Sequence, residues 1–539
     1  METIRGKIVC RGIALGKIYV LQKNRPAIRK EKCTDPEAEI TLVKRAREAV
    51  IIELRGLYEQ AVAEVGISNA AIFQMHELLL QDAEFIRSIE LWIREGGMNA
   101  QWAVAEAGYA LEQKFEHFED EYVRSRCADI HEVTDRLLKQ LMGNEEQEVC
   151  FKEPVILVAD TLTPGETVKL DTRNILAFVI NNGTVNSHAA IFAKNMNIPT
   201  LMGIHINIEK LRTDTLGLVD AVSGEFILEP DEERVRYARE LLQEKAKSDA
   251  LLQELKGLPD ITKSGKQMDV YANVGSEQEL ELALENDAMG IGLFRSEFLF
   301  IGRENAPTEE EQFTIYRRVA EKMEGKRTVI RVLDLGADKQ ADYLQLEAEE
   351  NPALGYRGIR ILLTRRDLFK AQLRAIYRAA VYGPLAVLYP MIISVEEVKQ
   401  IQEVTAQVKA ELTAEGVAYG EVEEGIMIET PAAAMISEEL AEMVDFFSIG
   451  TNDLTQYALV IDRQNAKLDA FYNPHHKAVL KMIQIVTDNA HKAGKKVGIC
   501  GELAADQILT EEFVNMGIDQ LSVAPSTILH LRKRIRDID

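Results

Sequence analysis

Cysteine is scarce in this chain of 539 residues. The five present, Cys10, Cys33, Cys127, Cys150 and Cys500, are scattered, odd in number and form no C-x-x-C pair. That speaks against a disulfide framework or a thiolate zinc site and for a reducing compartment. Long apolar runs are lacking as well. None approaches the roughly 20 residues that span a bilayer. The opening residues Met1-Glu2-Thr3-Ile4-Arg5-Gly6 carry no signal-peptide pattern. The expectation is a cytoplasmic protein that does not enter a membrane. Basic residues are in short supply: 63 Lys and Arg face 87 Asp and Glu, for a net charge of −24. So acidic a surface repels nucleic acid and anionic lipid and favours a basic protein partner. An anionic substrate would need a locally positive pocket, which directs attention to the arginines. There is no low-complexity tract and no internal repeat of solenoid period.

What is present reads as several α/β regions separated by helix. Gly6–Cys10 and Gly16–Val20 alternate like strands, with Gly12 at the turn between them. Val43, Ala46, Val50, Leu54, Leu57, Ala61 and Val65 then recur at spacings of three and four, one apolar helix stripe. Similar stretches follow at 69–95, 99–125 and 128–141, broken at Gly66, Gly96-Gly97 and Gly143. Strand-like runs return at Val155–Ala159, Ile175–Ile180, Leu216–Asp220 and Glu225–Leu228. Residues 1–20 and 146–228 are therefore expected to form one α/β domain, interrupted by an all-helical insertion at 21–145. Pro230-Asp231-Glu232-Glu233 places acid in the first turn of a long helix. Gly257 and Pro259 end it, which gives a linker helix over 229–259. From 260 to 539, eight short apolar runs alternate with helical segments: 268–274, 290–294, 328–334, 385–391, 425–429, 446–450, 496–500 and 520–524. Eight such units predict a (β/α)8 barrel, with an open doubly wound sheet as the alternative.

Active groups in such barrels sit at the C-terminal ends of the strands. Here those ends carry Arg295-Ser296-Glu297, Arg331-Val332-Leu333-Asp334, Glu429-Thr430-Pro431, Gly450-Thr451-Asn452-Asp453 and Cys500-Gly501-Glu502. A single charged residue in that position is as well explained by a structural ion pair under a loop. Five strand ends of this composition are not. Glu429 and Asp453 are hard oxygen ligands on neighbouring strands, suited to Mg²⁺ with waters and substrate oxygens. Arg295, Arg331 and Arg357 are forked donors suited to phosphate and carboxylate. Together they describe a site for a small phosphate ester bound to a metal. Cys500 is the only cysteine at a strand end, and a thiol beside a site that makes an enolate can donate a proton.

A second stretch, Asn182-Gly183-Thr184-Val185-Asn186-Ser187-His188-Ala189-Ala190, follows a strand. Gly183 turns the chain and Asn186 or Ser187 can cap a helix, which places His188 in the first helical turn. A helix N-terminus disfavours imidazolium, so the ring stays a neutral nucleophile, and it stabilises a phosphate once attached. The other eight histidines carry no such signal, apart from a partial exception at His76.

These motifs resemble those of Enzyme I of the bacterial sugar phosphotransferase system, the phosphoenolpyruvate–protein phosphotransferases. The resemblance covers essentially the whole chain. It is carried by Gly290–Phe300, Pro307–Gln312, Ile428–Ala433, Phe447–Tyr457 and Cys500–Ala504. It implies that His188 accepts the phosphoryl group and that Glu429 and Asp453 bind Mg²⁺. It assigns the substrate to Arg295, Arg331, Arg357, Asn452, Asp453 and Arg463, and the protonation of the enolate to pyruvate to Cys500. Thr167, in Thr163-Pro164-Gly165-Glu166-Thr167, matches a threonine that hydrogen-bonds the histidine. His76 and Arg126 match the region of the insertion that docks a small histidine phosphocarrier protein. The resemblance further implies a homodimer through the barrel, and a His188 that swings between barrel and carrier.

Departures from the family pattern fall in the histidine loop, at Ala337, which stands for a glycine in Asp334-Leu335-Gly336-Ala337-Asp338-Lys339, and at Lys477, which follows His476 where a proline is common. In the histidine loop, Thr184 stands for a glycine, Asn186 for a threonine and Lys194 for an arginine. Three rival readings follow from the same residues. A dikinase or phosphoenolpyruvate synthase would need a large nucleotide-binding domain, and residues 35–143 are helical instead. A lyase without the histidine would make His188 dispensable. A regulatory homologue would bind phosphoenolpyruvate or the carrier with weak or no turnover.

Overall fold

The computed structural model describes residues 2–21, 28–65, 67–116, 127–143, 151–183, 187–301, 303, 305–336, 342–347, 349–463, 465–468 and 470–539. The chain divides into two compact units, Met1–Lys247 and Ser248–Asp539.

The first unit contains an eight-stranded mixed sheet of order β1-β8-β7-β3-β4-β5-β6-β2. Its strands are β1 (Glu2–Arg5), β2 (Lys7–Cys10), β3 (Ile13–Leu21), β4 (Val155–Ala159), β5 (Ile175–Ile180), β6 (Thr200–Met202), β7 (Leu216–Asp220) and β8 (Glu225–Leu228). β3 pairs in parallel with β4 and antiparallel with β7. The sheet therefore takes its strands from both sides of a helical segment. That segment holds α1 (Pro36–Val65), α2 (Ile67–Gln81), α3 (Ala83–Arg94), α4 (Ala100–Glu116) and α5 (Cys127–Met142). The apolar stripe of α1 is its buried face: Val43, Ala46, Val50, Leu54, Leu57 and Ala61 are all in the core, while the side chain of Val65 lies outside those described. One expectation changes. The stretch 69–95 is not one helix but two, because Asp82 stops α2 and caps α3 by accepting from Phe85 N at 2.8 Å.

The second unit is a closed barrel of eight parallel strands: β9 (Asp269–Val274), β10 (Ile291–Arg295), β11 (Thr328–Arg331), β12 (Leu385–Tyr389), β13 (Glu423–Ile428), β14 (Phe446–Ile449), β15 (Lys496–Ile499) and β16 (Gln520–Val523). Pairing of β16 with β9 closes the ring. Residues alternate as the pleat requires. On β12, Ala386 and Leu388 join Leu293, Val329, Met427, Phe446 and Cys500 in the barrel interior. Leu385, Val387 and Tyr389 face the surrounding helices. The strands fall on the eight apolar runs, but the third and fourth leave the sheet before their runs end, the fourth after Tyr389. The third leaves the sheet after Arg331, and Val332-Leu333-Asp334-Leu335 continues as irregular backbone over the mouth. No helix among the described residues is long and apolar enough to cross a membrane.

Candidate active site

β10 ends on Arg295, whose side chain is exposed, and β11 ends on Arg331, which is buried. Arg331 reaches Glu297 Oε1 from Nε at 2.9 Å and from Nη2 at 2.6 Å. Its Nη1 lies 3.2 Å from Asp334 Oδ2. Arg357 directs Nη2 to both oxygens of Asp334 at 3.2 Å. Its Nη1 faces Asp453 Oδ1 at 3.4 Å and Tyr457 Oη at 3.2 Å. The Arg331 and Arg357 side chains are each 8% exposed, so their desolvation is offset chiefly by these carboxylates, with Tyr457 Oη as a neutral acceptor for Arg357.

Glu429 follows β13 and is 1% exposed. Its Oε1 accepts from Met391 N at 2.6 Å, while Oε2 is buried without a hydrogen-bond partner. Burial, then the neighbouring Asp453 and Asp334 charges, push this carboxyl up to about 8. Asp453 stands in the first turn of the helix Thr451–Leu459. A buried orphan oxygen beside a second carboxylate fits a hard divalent cation that keeps waters in its shell. Among the described residues, no cluster of three or more His, Cys, Asp or Glu side chains is arranged to hold a metal. The fit therefore rests on two carboxylates and leaves positions for substrate oxygens.

Cys500 follows β15, 5% exposed in the barrel interior. Its Sγ lies 3.6 Å from Ile449 O, and burial pushes the thiol up to about 11. It is thus a protonated thiol at neutral pH. Asn452 donates from Nδ2 to Glu502 Oε1 at 3.2 Å, and its Oδ1 accepts from Glu502 N at 2.9 Å. Arg463 is exposed and is anchored through its backbone N to Gln456 Oε1 at 3.1 Å. The strand ends thus bring Arg331, Arg357, Glu429 and Asp453 into one charged cluster, with Cys500 and Arg295 near it. Asp334, Glu297 and Tyr457 belong to the same network, and Glu502 holds Asn452 beside it. Sequence reasoning quoted all four within its motifs but gave none a role. The signal available was position: Glu297 lies two residues beyond Arg295 and Asp334 three beyond Arg331.

In the first unit, His188 is the first residue of a short helix (His188–Asn195). Ser187 caps it by accepting from Ala190 N at 3.4 Å. Thr184 and Asn186 lie outside the described residues, as does Arg126. Thr167, in a short helix (Pro164–Lys169) whose cap is Thr163, is buried and donates from Oγ1 to Pro164 O at 2.7 Å. His76 is fully buried inside the helical segment, with Nε2 3.4 Å from Asp129 Oδ1 and Nδ1 unpartnered. Among the described side chains of α2, Gln74 and Leu78 on either side of it are exposed.

A parallel barrel with buried arginines and a carboxylate pair at its mouth is the framework of an enzyme for small anions. Comparison with known proteins narrows this. The model for "PEP-utilising enzyme, PEP-binding domain" matches residues 249–539. Those for "PEP-utilising enzyme, N-terminal" and "PEP-utilising enzyme, mobile domain" match residues 5–126 and 151–224. The chain belongs to the phosphoenolpyruvate-utilising enzymes. It is 39% identical over 539 residues to a curated protein of Priestia megaterium named phosphoenolpyruvate-protein phosphotransferase, covering 100% of this chain and 94% of that one. Proteins of the same name from Haemophilus influenzae and Bacillus subtilis are 39% and 37% identical, each over 99% of this chain and 94% of the relative.

Proposed function

We propose that this chain transfers the phosphoryl group of phosphoenolpyruvate to its own His188, releases pyruvate, and passes the phosphoryl group to a histidine of a small phosphocarrier protein. The observation that carries the reading is the paired set Arg331–Glu297 and Arg357–Asp334 beside Glu429 and Asp453, at the C-terminal ends of β10, β11, β13 and β14 and in the loop that follows β11. It is supported by full-length identity to proteins named for this activity.

The residues divide the chemistry. Arg295, Arg331 and Arg357 bind the phosphate, and Asn452 and Arg463 bind the carboxylate end. Glu429 and Asp453 hold Mg²⁺, which when bound neutralises charge on the transferring group. A lone pair of the His188 imidazole attacks phosphorus. The bond from phosphorus to the enol oxygen breaks, and its electrons remain on that oxygen as the enolate. C3 then takes the proton from Cys500 Sγ, which gives pyruvate, and the thiolate regains a proton from water. Thr167 orients the histidine. The helical segment 21–145, with Arg126, forms the carrier-docking region; His76, buried against Asp129, supports that region from within and does not meet the carrier. The barrel carries the dimer contact.

The test is intact-mass spectrometry after incubation with Mg²⁺ and phosphoenolpyruvate, with His188→Ala as control. One acid-labile phosphate on the wild type and none on the control is expected. Binding of phosphoenolpyruvate without added mass would replace this reading by that of a regulatory homologue.

A further inference from the structure

The three arginines of the barrel mouth are held differently. Arg295 is exposed, and no ion pair to it exists among the described residues. Arg331 and Arg357 are buried, and both lead to one side chain. Asp334 Oδ2 lies 3.2 Å from Arg331 Nη1 and 3.2 Å from Arg357 Nη2. Its carboxylate is 2% exposed. Glu297 holds the opposite edge of Arg331 through Nε and Nη2 but reaches neither Arg357 nor any shared position.

Two buried guanidinium ions converging on one site repel each other, and a carboxylate between them removes that repulsion while fixing their separation. The backbone around Asp334 is shaped to this end. Gly358 follows Arg357 with φ +57°, and a Cβ there would stand 3.1 Å from Asp334 Oδ1. Gly358 N donates to Leu335 O at 3.0 Å, tying the loop that carries Arg357 to the chain that carries Asp334. With these edges occupied, the donors held weakly or not at all are Arg331 Nη1, whose further neighbour is Met427 Sδ at 4.0 Å, Arg357 Nη1, 3.2 Å from Tyr457 Oη and 3.4 Å from Asp453 Oδ1, and Arg357 Nε, which is buried without a hydrogen-bond partner. These are the hydrogens that an incoming phosphate oxygen can take.

We propose that Asp334 is a positioning residue: by bridging Arg331 and Arg357 it sets the distance and orientation of the two guanidinium groups that receive the phosphoryl group. The inference rests on the phosphotransferase reading above. Asp334 touches no substrate. It acts through the arginines, and its effect is expected on substrate capture more than on the chemical step.

The experiment is single-turnover phosphorylation of the full-length protein by phosphoenolpyruvate with Mg²⁺, with the rate followed over a range of phosphoenolpyruvate concentrations so that its half-saturating value (KM below) and its saturated rate are read separately. It compares wild type, Asp334→Asn, Arg357→Gln and the double variant. Asp334→Asn keeps the shape and removes the charge. It is expected to raise KM by about tenfold or more, with a smaller fall in the saturated rate. In the double variant, the added effect of Asp334→Asn on KM is expected to shrink to within about twofold, because its partner is gone. A KM within about twofold of wild type, or full additivity with Arg357→Gln, overturns the proposal. Asp334→Ser serves as a second variant. If neither replacement folds cooperatively, Asp334 is a folding residue and the proposal is likewise overturned. A wild type that takes no phosphate would instead overturn the phosphotransferase reading, so the two failures are distinct.

Discussion

Gly450 stands against Glu429 so closely that a Cβ at position 450 would lie 2.8 Å from Glu429 Oε2. The backbone does not demand glycine there, since its φ is −85°. The contact with the carboxylate is what excludes a side chain. Gly450→Ala is therefore expected to push Glu429 out of line with Asp453 while leaving the barrel folded. The Mg²⁺ concentration for half-maximal phosphorylation should rise about 10–100-fold. An unchanged Mg²⁺ dependence would mean that Glu429 Oε2 does not meet the metal.

Glu429 should also leave a mark on the pH dependence of stability. Its folded value, about 8, lies above the ordinary 4.5. The folded protein then holds a proton that the unfolded chain has lost. The stabilisation from this group is complete below 4.5 and is lost as pH rises through about 8. In the metal-free protein, the melting temperature of wild type relative to Glu429→Gln is expected to fall across that window and to level off above it. Mg²⁺ should release the proton, so that its apparent affinity weakens about tenfold per pH unit below the shifted value. A flat difference between the two proteins would show an ordinary, ionised glutamate.

Much of this arrangement is legible in the sequence, and the reason is local. The barrel strands are short apolar runs bounded by turns, so periodicity locates them, and five of the eight runs end on, or within three residues of, a residue of the charged mouth. What the sequence hides is tertiary. Asp334 lies three residues past Arg331, but its bridge to Arg357 spans 23 residues of chain and depends on a loop conformation at Gly358. The break at Asp82 hides inside a continuous helical pattern, because an aspartate reads equally well as a solvated face. His76 sits in a motif that suggests a docking surface, yet the fold turns it inward toward Asp129. β6 has only three residues, too few to show alternation.

Cys500 tests the division of labour at the barrel mouth. Burial holds its thiol protonated up to about 11, the state a proton donor needs. Cys500→Ala removes the donor without touching the arginines or carboxylates. Phosphate should still reach His188, while protonation of the enolate is left to water and slows about 10²-fold. With phosphoenolpyruvate stereospecifically labelled at C3, wild type is expected to deliver solvent hydrogen to one face, and the variant to both. Retained stereospecificity in Cys500→Ala would assign the proton to another group.

At the other end of the strands, Arg532 closes the barrel seam. It lies in the helix Ile528–Asp537 and is fully buried. Its Nε donates to Asp260 Oδ1 at 2.5 Å, and its Nη1 donates to Asp287 Oδ2 at 2.7 Å and to Leu255 O at 3.1 Å. Asp260 Oδ2 in turn accepts from Val270 N at 3.0 Å, in the strand that pairs with β16. Nothing in the pattern ILHLRKRIRD marks one arginine of three as buried. Removing this one strands Asp260 in an apolar setting, where desolvation already raises its pKa. Arg532→Ala is expected to cost about 3–5 kcal/mol, read as lost hydrogen-exchange protection in β9 and β16. The double replacement Arg532→Met with Asp260→Asn should recover part of it, since no unpaired buried charge remains. Equal losses in the single and double variants would mean that packing, and not charge, holds the seam.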